Sequence, residues 1–243
     1  MTVRAGQVLY DRPAGSGEAA EIYDIVLRHG RVVDPANHRD GRFDIGIRGG
    51  KVARIAESIR ADRGRMVVDL TDYYVTPGLV DARASVDYLD SQTGAQPDQF
   101  ELPQGVTTVV DPNASPSVIR RSRTHVIAAD NSRLPPEVLF SGMDRKRTLA
   151  ADSGIPAALA KLIVAGVPFA QAIERATALP ARVLRMSDLG ALREGGPADI
   201  AVFEAGSSGV NCILVFRNGD PVWDLHGLTI REWTQTPPYS AYR

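Results

Sequence analysis

The chain has 243 residues, a net charge of −1 and 44% apolar residues, a balance typical of a folded protein. Because the charge is close to zero, electrostatic capture of a nucleic acid is excluded as a main activity. The N-terminus lacks the apolar core of a secretion signal, and no run of about 18 uncharged apolar residues is present to span a membrane. We therefore expect a soluble, cytoplasmic protein with neither a nucleic-acid nor a membrane partner.

The first 80 residues predict an N-terminal arm followed by short strands. The arm covers residues 1–22 and ends in a linker of small residues, which we expect to be extended or poorly ordered. Alternating polar and apolar residues then predict pairs of strands joined by short turns: 23–28 with 31–34, 43–48 with 51–55, and 66–70 with 73–77. Together these pairs predict a small antiparallel sheet.

The centre of the chain has continuous apolar runs, which are typical of parallel strands buried on both faces. The runs cover residues 105–111, 124–130 and 137–141, and each ends in a polar residue. Helices are predicted next, over 155–165, from Pro168, and over 179–186.

The last part of the chain returns to β structure, with predicted strands at 198–203, 212–216 and 221–223. Asn218-Gly219 is a dipeptide suited to the tight turn of a hairpin between the last two strands. This order predicts an α/β fold in which both chain ends build one sheet domain around an inserted β/α unit.

Several stretches resemble the amidohydrolase superfamily, and specifically its cyclic-amidohydrolase branch of dihydroorotases, hydantoinases and related deacetylases. They are DIVLRHGRVVDPAN, DIGIRGGKVARIAE, VVDLTDYYVTPGLVD, GVTTVVD and ATALPARVLRMSDLGALREGGPADIAVFE. The resemblance implies a composite β-sandwich built from both chain ends around a (β/α)8 barrel, with a metal at the carboxyl ends of the barrel strands. It also implies a ligand set of two histidines from the first strand, a carboxylated lysine, two further histidines, and an aspartate from the eighth strand that acts as general base.

The chain departs from this ligand pattern. The two first-strand histidines fall on Arg83 and Ser85. A guanidinium has no lone pair and repels a divalent cation, and a serine hydroxyl is a poor ligand. Asp144 matches the eighth-strand aspartate, but three cations follow it at 145–147. We therefore expect no metal ligands and no catalytic residues, with Asp144 as a vestigial candidate, and no cofactor.

Length also departs from the family. A (β/α)8 barrel needs at least about 200 residues, whereas Pro77 to Gly196 supplies 120. The predicted fold is therefore a composite β-sandwich plus a truncated, half TIM-type barrel with about four parallel strands. The expected divisions are an arm (1–22), a composite sandwich (23–76 with 197–231), a truncated barrel (77–196) and a tail (232–243).

The histidines are poor candidates for a metal site. The sequence has four, of which His29 and His38 fall in predicted turns and His226 in the tail, so surface or structural roles are expected for them. His125 stands near a strand start, which is the wrong end for chemistry in such a barrel. Cys212 lies in an apolar run and is predicted to be a buried, inert thiol.

Asp81, Asp111 and Asp144 end predicted strands on one rim, where three carboxylates could bind a hard cation such as magnesium. We favour the interpretation that they cap loops or pair with Arg83 and Arg145. Basic clusters lie at 120–123 and 145–147. They are either solvated surface charge or a binding surface for an anionic ligand or an acidic partner.

Three hypotheses about function follow. In the first, the chain is a non-catalytic amidohydrolase-like subunit that docks on a full-length catalytic relative or on a second copy of itself, because a half-barrel leaves open sheet edges. In the second, it is a metal-dependent hydrolase of cyclic amide or N-acyl C–N bonds, with zinc, whose site a partner chain completes. The third is a small-ligand binder that uses Arg83 and the basic rim.

Overall fold

A computed structural model describes residues 21–86, 94–141, 154–206 and 209–229, and the backbone alone of 2–4 and 7–9. Most of the predicted arm and the whole predicted tail lie outside these residues. The described strands are β1 (Thr2–Arg4), β2 (Gln7–Leu9), β3 (Tyr23–Arg28), β4 (Arg31–Asp34), β5 (Arg39–Arg42), β6 (Asp44–Arg48), β7 (Lys51–Ala56), β8 (Gly64–Asp69), β9 (Tyr74–Pro77), β10 (Leu79–Asp81), β11 (Val106–Val110), β12 (His125–Ile127), β13 (Ile200–Gly206), β14 (Gly209–Arg217) and β15 (Asp220–Asp224).

The described helices are short. They are α1 (Pro97–Phe100), α2 (Pro116–Arg121), α3 (Ile155–Val164), α4 (Phe169–Glu174) and α5 (Ala178–Val183), with 3₁₀ turns at Pro35–Asn37, Ala61–Arg63 and Leu102–Gln104. Within the residues described above, no helix has the length and apolar character needed to cross a membrane.

Two large mixed sheets are built from these strands. The first has the order β2-β1-β8-β3-β6-β7, and the second has the order β15-β14-β13-β9-β4-β5. The second sheet joins both parts of the chain, because β13 pairs antiparallel with β9 in a register that sets Ile200 opposite Pro77. The expectation that distant parts of the sequence share one sheet is therefore confirmed.

The second sheet is buried on both faces, which explains the continuous apolar run at the start of β13. Val202 packs in a core between the two large sheets, with Leu27 and Ile45 of the first sheet. Phe203 points the other way and packs in a second core with Leu79 and Ile155. Since successive side chains of a strand point to opposite faces, a strand between two cores needs apolar residues at every position.

The second core lies beneath a small parallel sheet of order β10-β11-β12. Glycines allow its strands to approach their neighbours closely. A Cβ on Gly78 would overlap the Thr107 side chain, and Gly105 precedes β11 at φ +85 with its Cα against the Phe203 ring. A φ of this sign strains any residue with a side chain.

Two of the predicted hairpins are confirmed. β6 and β7 pair antiparallel around Gly49-Gly50, and β14 and β15 pair around Asn218-Gly219. All four turn residues have positive φ, from 49 to 78, as the primed hairpin turns require.

The other predicted strand pairs are wrong, and so is the expectation of a purely antiparallel sheet. β3 pairs with β6 and β8 in the first sheet, whereas β4 pairs with β5 and β9 in the second. The turn at His29-Gly30 thus carries the chain from one sheet to the other. β8 and β9 are divided between the sheets in the same way, and the β3–β8 and β4–β9 pairs are parallel.

The strand predicted at 137–141 is not formed. The Leu139 N–H bonds to the Arg175 carbonyl and the Ser141 N–H bonds to the Asp81 carboxylate, so neither joins a ladder. Pro135 and Pro136 just before this segment have no N–H to give. The described parallel sheet therefore has three strands, and the four-stranded half-barrel stays a prediction.

Candidate functional site

Asp81 lies at the carboxyl end of β10, where the resemblance locates the mouth of the barrel. Its side chain is fully buried. One oxygen accepts the Arg83 N–H at 3.0 Å, which turns the chain sharply after the strand. The carboxylate also accepts the Ser141 N–H at 3.2 Å and a short hydrogen bond from the Ser141 hydroxyl. Asp81 thus holds the segment that ends at Ser141 against the carboxyl end of β10.

Glu101 is the second buried carboxyl at this place and follows α1 directly. It is fully buried, and its Oε1 lies 3.5 Å from the Ser141 hydroxyl. The Glu101 carboxyl is also close enough to that of Asp81 for a hydrogen bond between them. Two ionised carboxylates have only acceptors, so such a bond forms only with a proton on one of them. Asp81, Glu101 and Ser141 form what we call the carboxyl cluster.

Burial controls protonation in the carboxyl cluster. It raises the pKa of Asp81 to about 6, although hydrogen bonds from Ser141 and from the Arg83 N–H oppose the shift. Burial also raises the pKa of Glu101 well above its ordinary value, and the neighbouring charge of Asp81 raises it further. Burial therefore favours a pair that holds one proton, and the neighbouring charge of Asp81 favours that proton on Glu101, with Asp81 as acceptor.

Arg83 and Ser85 occupy the positions where the resemblance implies metal ligands. The Arg83 guanidinium donates to the Asn131 carbonyl at 3.1 Å and lies 5.2 Å from the centre of the Phe140 ring. A permanently charged group is therefore held at this rim by a carbonyl and an aromatic face. Ser85 is half-buried, and its backbone carbonyl accepts the Ala95 N–H at 2.8 Å.

Asp111 ends β11 and stabilises loops. Its carboxylate accepts the Val86 N–H at 2.8 Å and the Asn113 N–H at 2.9 Å. Asp81 and Asp111 both accept backbone N–H groups of rim residues, as the loop-capping interpretation predicts. Asp144 and the cations at 145–147 lie outside the described residues.

None of the four histidines lies at this rim. His125 stands at the amino end of β12, half-buried, and burial lowers the pKa of its ring, with Arg217 nearby adding to the shift. His29 and His38 occupy turns with positive φ, and His226 is exposed after β15. Cys212 is buried, and burial raises the pKa of its thiol, which makes it inert.

The described donors at this rim do not fit the metal that the resemblance implies. Across the part of the chain that the structure describes, no three His, Cys, Asp or Glu side chains lie close enough to hold a metal ion together. Zinc needs about four nitrogen, sulfur or oxygen donors, whereas the Asp81 carboxylate already accepts hydrogen bonds from Ser141 and from the Arg83 N–H, and burial favours the protonated form of Glu101. The guanidinium of Arg83 offers no lone pair.

The architecture matches solved enzyme structures over most of the chain. An adenine deaminase superposes with a TM-score of 0.65 at 13% identity, covering 82% of this chain and 99% of that one. A D-aminoacylase structure described as defining a subset of amidohydrolases superposes with a TM-score of 0.58 at 12% identity, covering 83% and 97%. The chain has an amidohydrolase-like fold. Because these identities are low, the likeness shows the fold alone.

Sequence relatives match this amidohydrolase-like chain over a short part of their length. The dihydroorotase of Clostridium acetobutylicum is 42% identical over 57 residues, which are 24% of this chain and 13% of that enzyme. No family model matches the chain.

Sequence reasoning predicted the rim position of Asp81, Arg83 and Asp111 but missed Glu101. The available signal was a single acidic residue between Phe100 and Leu102. A lone carboxyl flanked by apolar residues is a candidate for burial, and buried carboxyls need partners.

Proposed function

We propose that this chain is a non-catalytic, amidohydrolase-like subunit with a structural or regulatory role. Arg83 supports this proposal most directly. It stands where the resemblance implies the first metal-ligand histidine, and its charge is bound to the Asn131 carbonyl and the Phe140 ring. A metal ion at this position would face a fixed positive charge.

The carboxyl cluster supports the same proposal. A general base must reach the proton that it removes, directly or through one water. Asp81 and Glu101 are both fully buried and hydrogen-bonded within the cluster. These acids hold chain segments together and have no exposed face for a substrate.

We also propose the division into a composite sandwich (23–76 with 197–231) and a truncated half-barrel (77–196). Two separate cores, one between the large sheets and one beneath the parallel sheet, support it. Within the described residues β12 has β11 on one side and no strand on the other. Such an edge exposes unpaired N–H and C=O groups that proteins usually cover. In our proposal a catalytic relative or a second copy covers it.

Hydrolysis and mass measurements on the same sample test this function. We expect native mass spectrometry to find a complex of the chain with itself or with a larger relative. With zinc added, the purified chain should hydrolyse neither dihydroorotate nor an N-acyl-D-amino acid, in an assay where an active dihydroorotase serves as positive control. Zinc-dependent turnover that Asp144→Asn abolishes would overturn the proposal in favour of a hydrolase whose site a partner completes.

A further inference from the structure

A second candidate site lies away from the carboxyl cluster, between the end of α5 and the 3₁₀ turn Pro35–Asn37. A cavity of about 380 Å³ opens there, a volume within the usual range of small-ligand pockets. Arg182, Arg185 and Arg193 line it, and no acidic side chain does. We call these three residues the arginine triad.

Little in the described chain neutralises the arginine triad. Arg182 meets Glu174 at 3.4 Å, but both side chains are exposed, so the pair is weak. Arg193 donates to the Ser187 carbonyl at 2.7 Å, which orients the guanidinium without cancelling its charge. Within the described residues Arg185 has no ion pair. The acidic neighbour Asp188 lines a different, smaller cavity.

The backbone of Arg185 is strained. Its φ is +56, in the left-handed region that costs a residue with a side chain roughly 1 kcal/mol. The Met186 N–H bonds to the Ala181 carbonyl, and the Arg185 N–H bonds to the Arg182 carbonyl. This pattern ends a helix with a position that glycine usually takes. Strained backbone is concentrated at functional sites, so a strained arginine at the wall of a cavity indicates a functional position.

Compensation of the helix dipole does not explain the whole triad. Cations near a helix C-terminus are stabilising by about 0.3–1 kcal/mol, which would account for Arg182 and Arg185. However, α5 has only six residues, and Arg193 lies beyond it in a loop. Three arginines from two segments line one cavity, together with Met186 and Leu189.

We propose that this cavity binds a small phosphate monoester, with the phosphate held by the arginine triad and the organic group against Met186 and Leu189. Guanidinium groups bind phosphate oxygens in paired hydrogen bonds, which gives them an advantage over lysine at such sites. The proposal is independent of the missing metal ligands, and it assigns the chain a ligand rather than a reaction.

Calorimetric titration of the full-length chain tests the site. Phenyl phosphate is expected to bind, inorganic phosphate to bind more weakly because it lacks an apolar group, and phenol not to bind. Arg193→Ala is expected to weaken phenyl phosphate binding at least tenfold, a loss of about 1.4 kcal/mol. Arg54→Ala removes an exposed arginine of β7 that does not line this cavity and serves as the matched control, with binding unchanged.

Arg185→Gly separates binding from folding. Glycine suits the positive φ at this position, so the variant should unfold at the same or a higher temperature while it loses phenyl phosphate affinity at least tenfold. The proposal is overturned if phenyl phosphate produces no heat up to about 10 mM, where a Kd of about 1 mM is still measurable. It is equally overturned if Arg185→Gly and Arg193→Ala bind phenyl phosphate as the natural chain does.

Discussion

The proton shared in the carboxyl cluster should make the stability of the chain depend on pH, and Glu101→Gln isolates the part due to Glu101. Glutamine has nearly the shape of the protonated acid, and its amide can donate to Asp81 as the acid does. The variant therefore keeps the hydrogen bond and removes the ionisation. Near about pH 3.5, where an exposed glutamate and the buried one are both largely protonated, the two proteins should be almost equally stable.

The difference should grow as the pH rises. The pKa of Glu101 is raised in the folded chain, so between its ordinary value of 4.5 and that raised value the folded state binds more protons than the unfolded state. Stability is then lost with rising pH, at up to about 1.4 kcal/mol per pH unit for one proton. Above the ordinary value of 4.5 the natural chain should become steadily less stable than Glu101→Gln, and the difference should stop growing once the pH passes the raised pKa of Glu101.

Asp81 shifts in the same direction in both proteins. With a pKa raised from 3.8 to about 6, it contributes stability that is fully present below its ordinary value and lost by about pH 6, an effect on the order of 3 kcal/mol. The difference in unfolding free energy between the natural chain and Glu101→Gln cancels most of the Asp81 contribution and leaves that of Glu101.

Urea unfolding at a series of pH values gives the required free energies. Glu137→Gln makes the same chemical change at an exposed position and is the matched control, with a pH curve parallel to that of the natural chain. If the Glu101→Gln curve is also parallel, the shared proton does not exist and the account of the cluster fails.

Further predictions concern single contacts, each measured by urea unfolding at neutral pH. Ser141→Ala removes the hydroxyl donor to Asp81 and should cost about 1–3 kcal/mol; no loss would mean that the backbone N–H alone holds the carboxylate. Phe203→Ala empties a fully buried ring site in the core beneath the parallel sheet and should cost about 3–5 kcal/mol. Gly78→Ala adds a Cβ that overlaps Thr107 and should cost about 1–3 kcal/mol, whereas Gly206→Ala meets open space and should be tolerated.

The hairpin turns could be predicted from the sequence because the residues that determine them are neighbours in the chain. Gly49-Gly50 and Asn218-Gly219 adopt positive φ as their residue types favour, and the hairpins around them formed as predicted. The apolar run at 200–203 was predicted as part of a strand, and the two cores explain why the run is continuous.

The pairing of strands was harder to predict from the sequence. Alternation in β3 and β4 shows which side chains face a core, but it does not say which strand lies alongside. A short turn between them favoured a hairpin, yet β3 pairs with β8 and β4 pairs with β9, in different sheets. Pro135-Pro136 was the overlooked signal against a strand at 137–141, because a ladder needs N–H groups that prolines lack.

The rim of the parallel sheet shows why a site can change while the fold persists. Asp81, Arg83 and Asp111 lie beyond the strand ends, whereas the apolar side chains that bury most surface, such as Leu79 and Val109, lie within the strands. Arginine at position 83 costs the core nothing, since its guanidinium is exposed and rests on Phe140. Restoring histidines at 83 and 85 would leave the buried carboxyl cluster unchanged behind them, with Asp81 still bound to Ser141. Recovery of a metal site would therefore require more than the return of two ligands, because the resemblance implies a carboxylated lysine, two further histidines and an aspartate beside them.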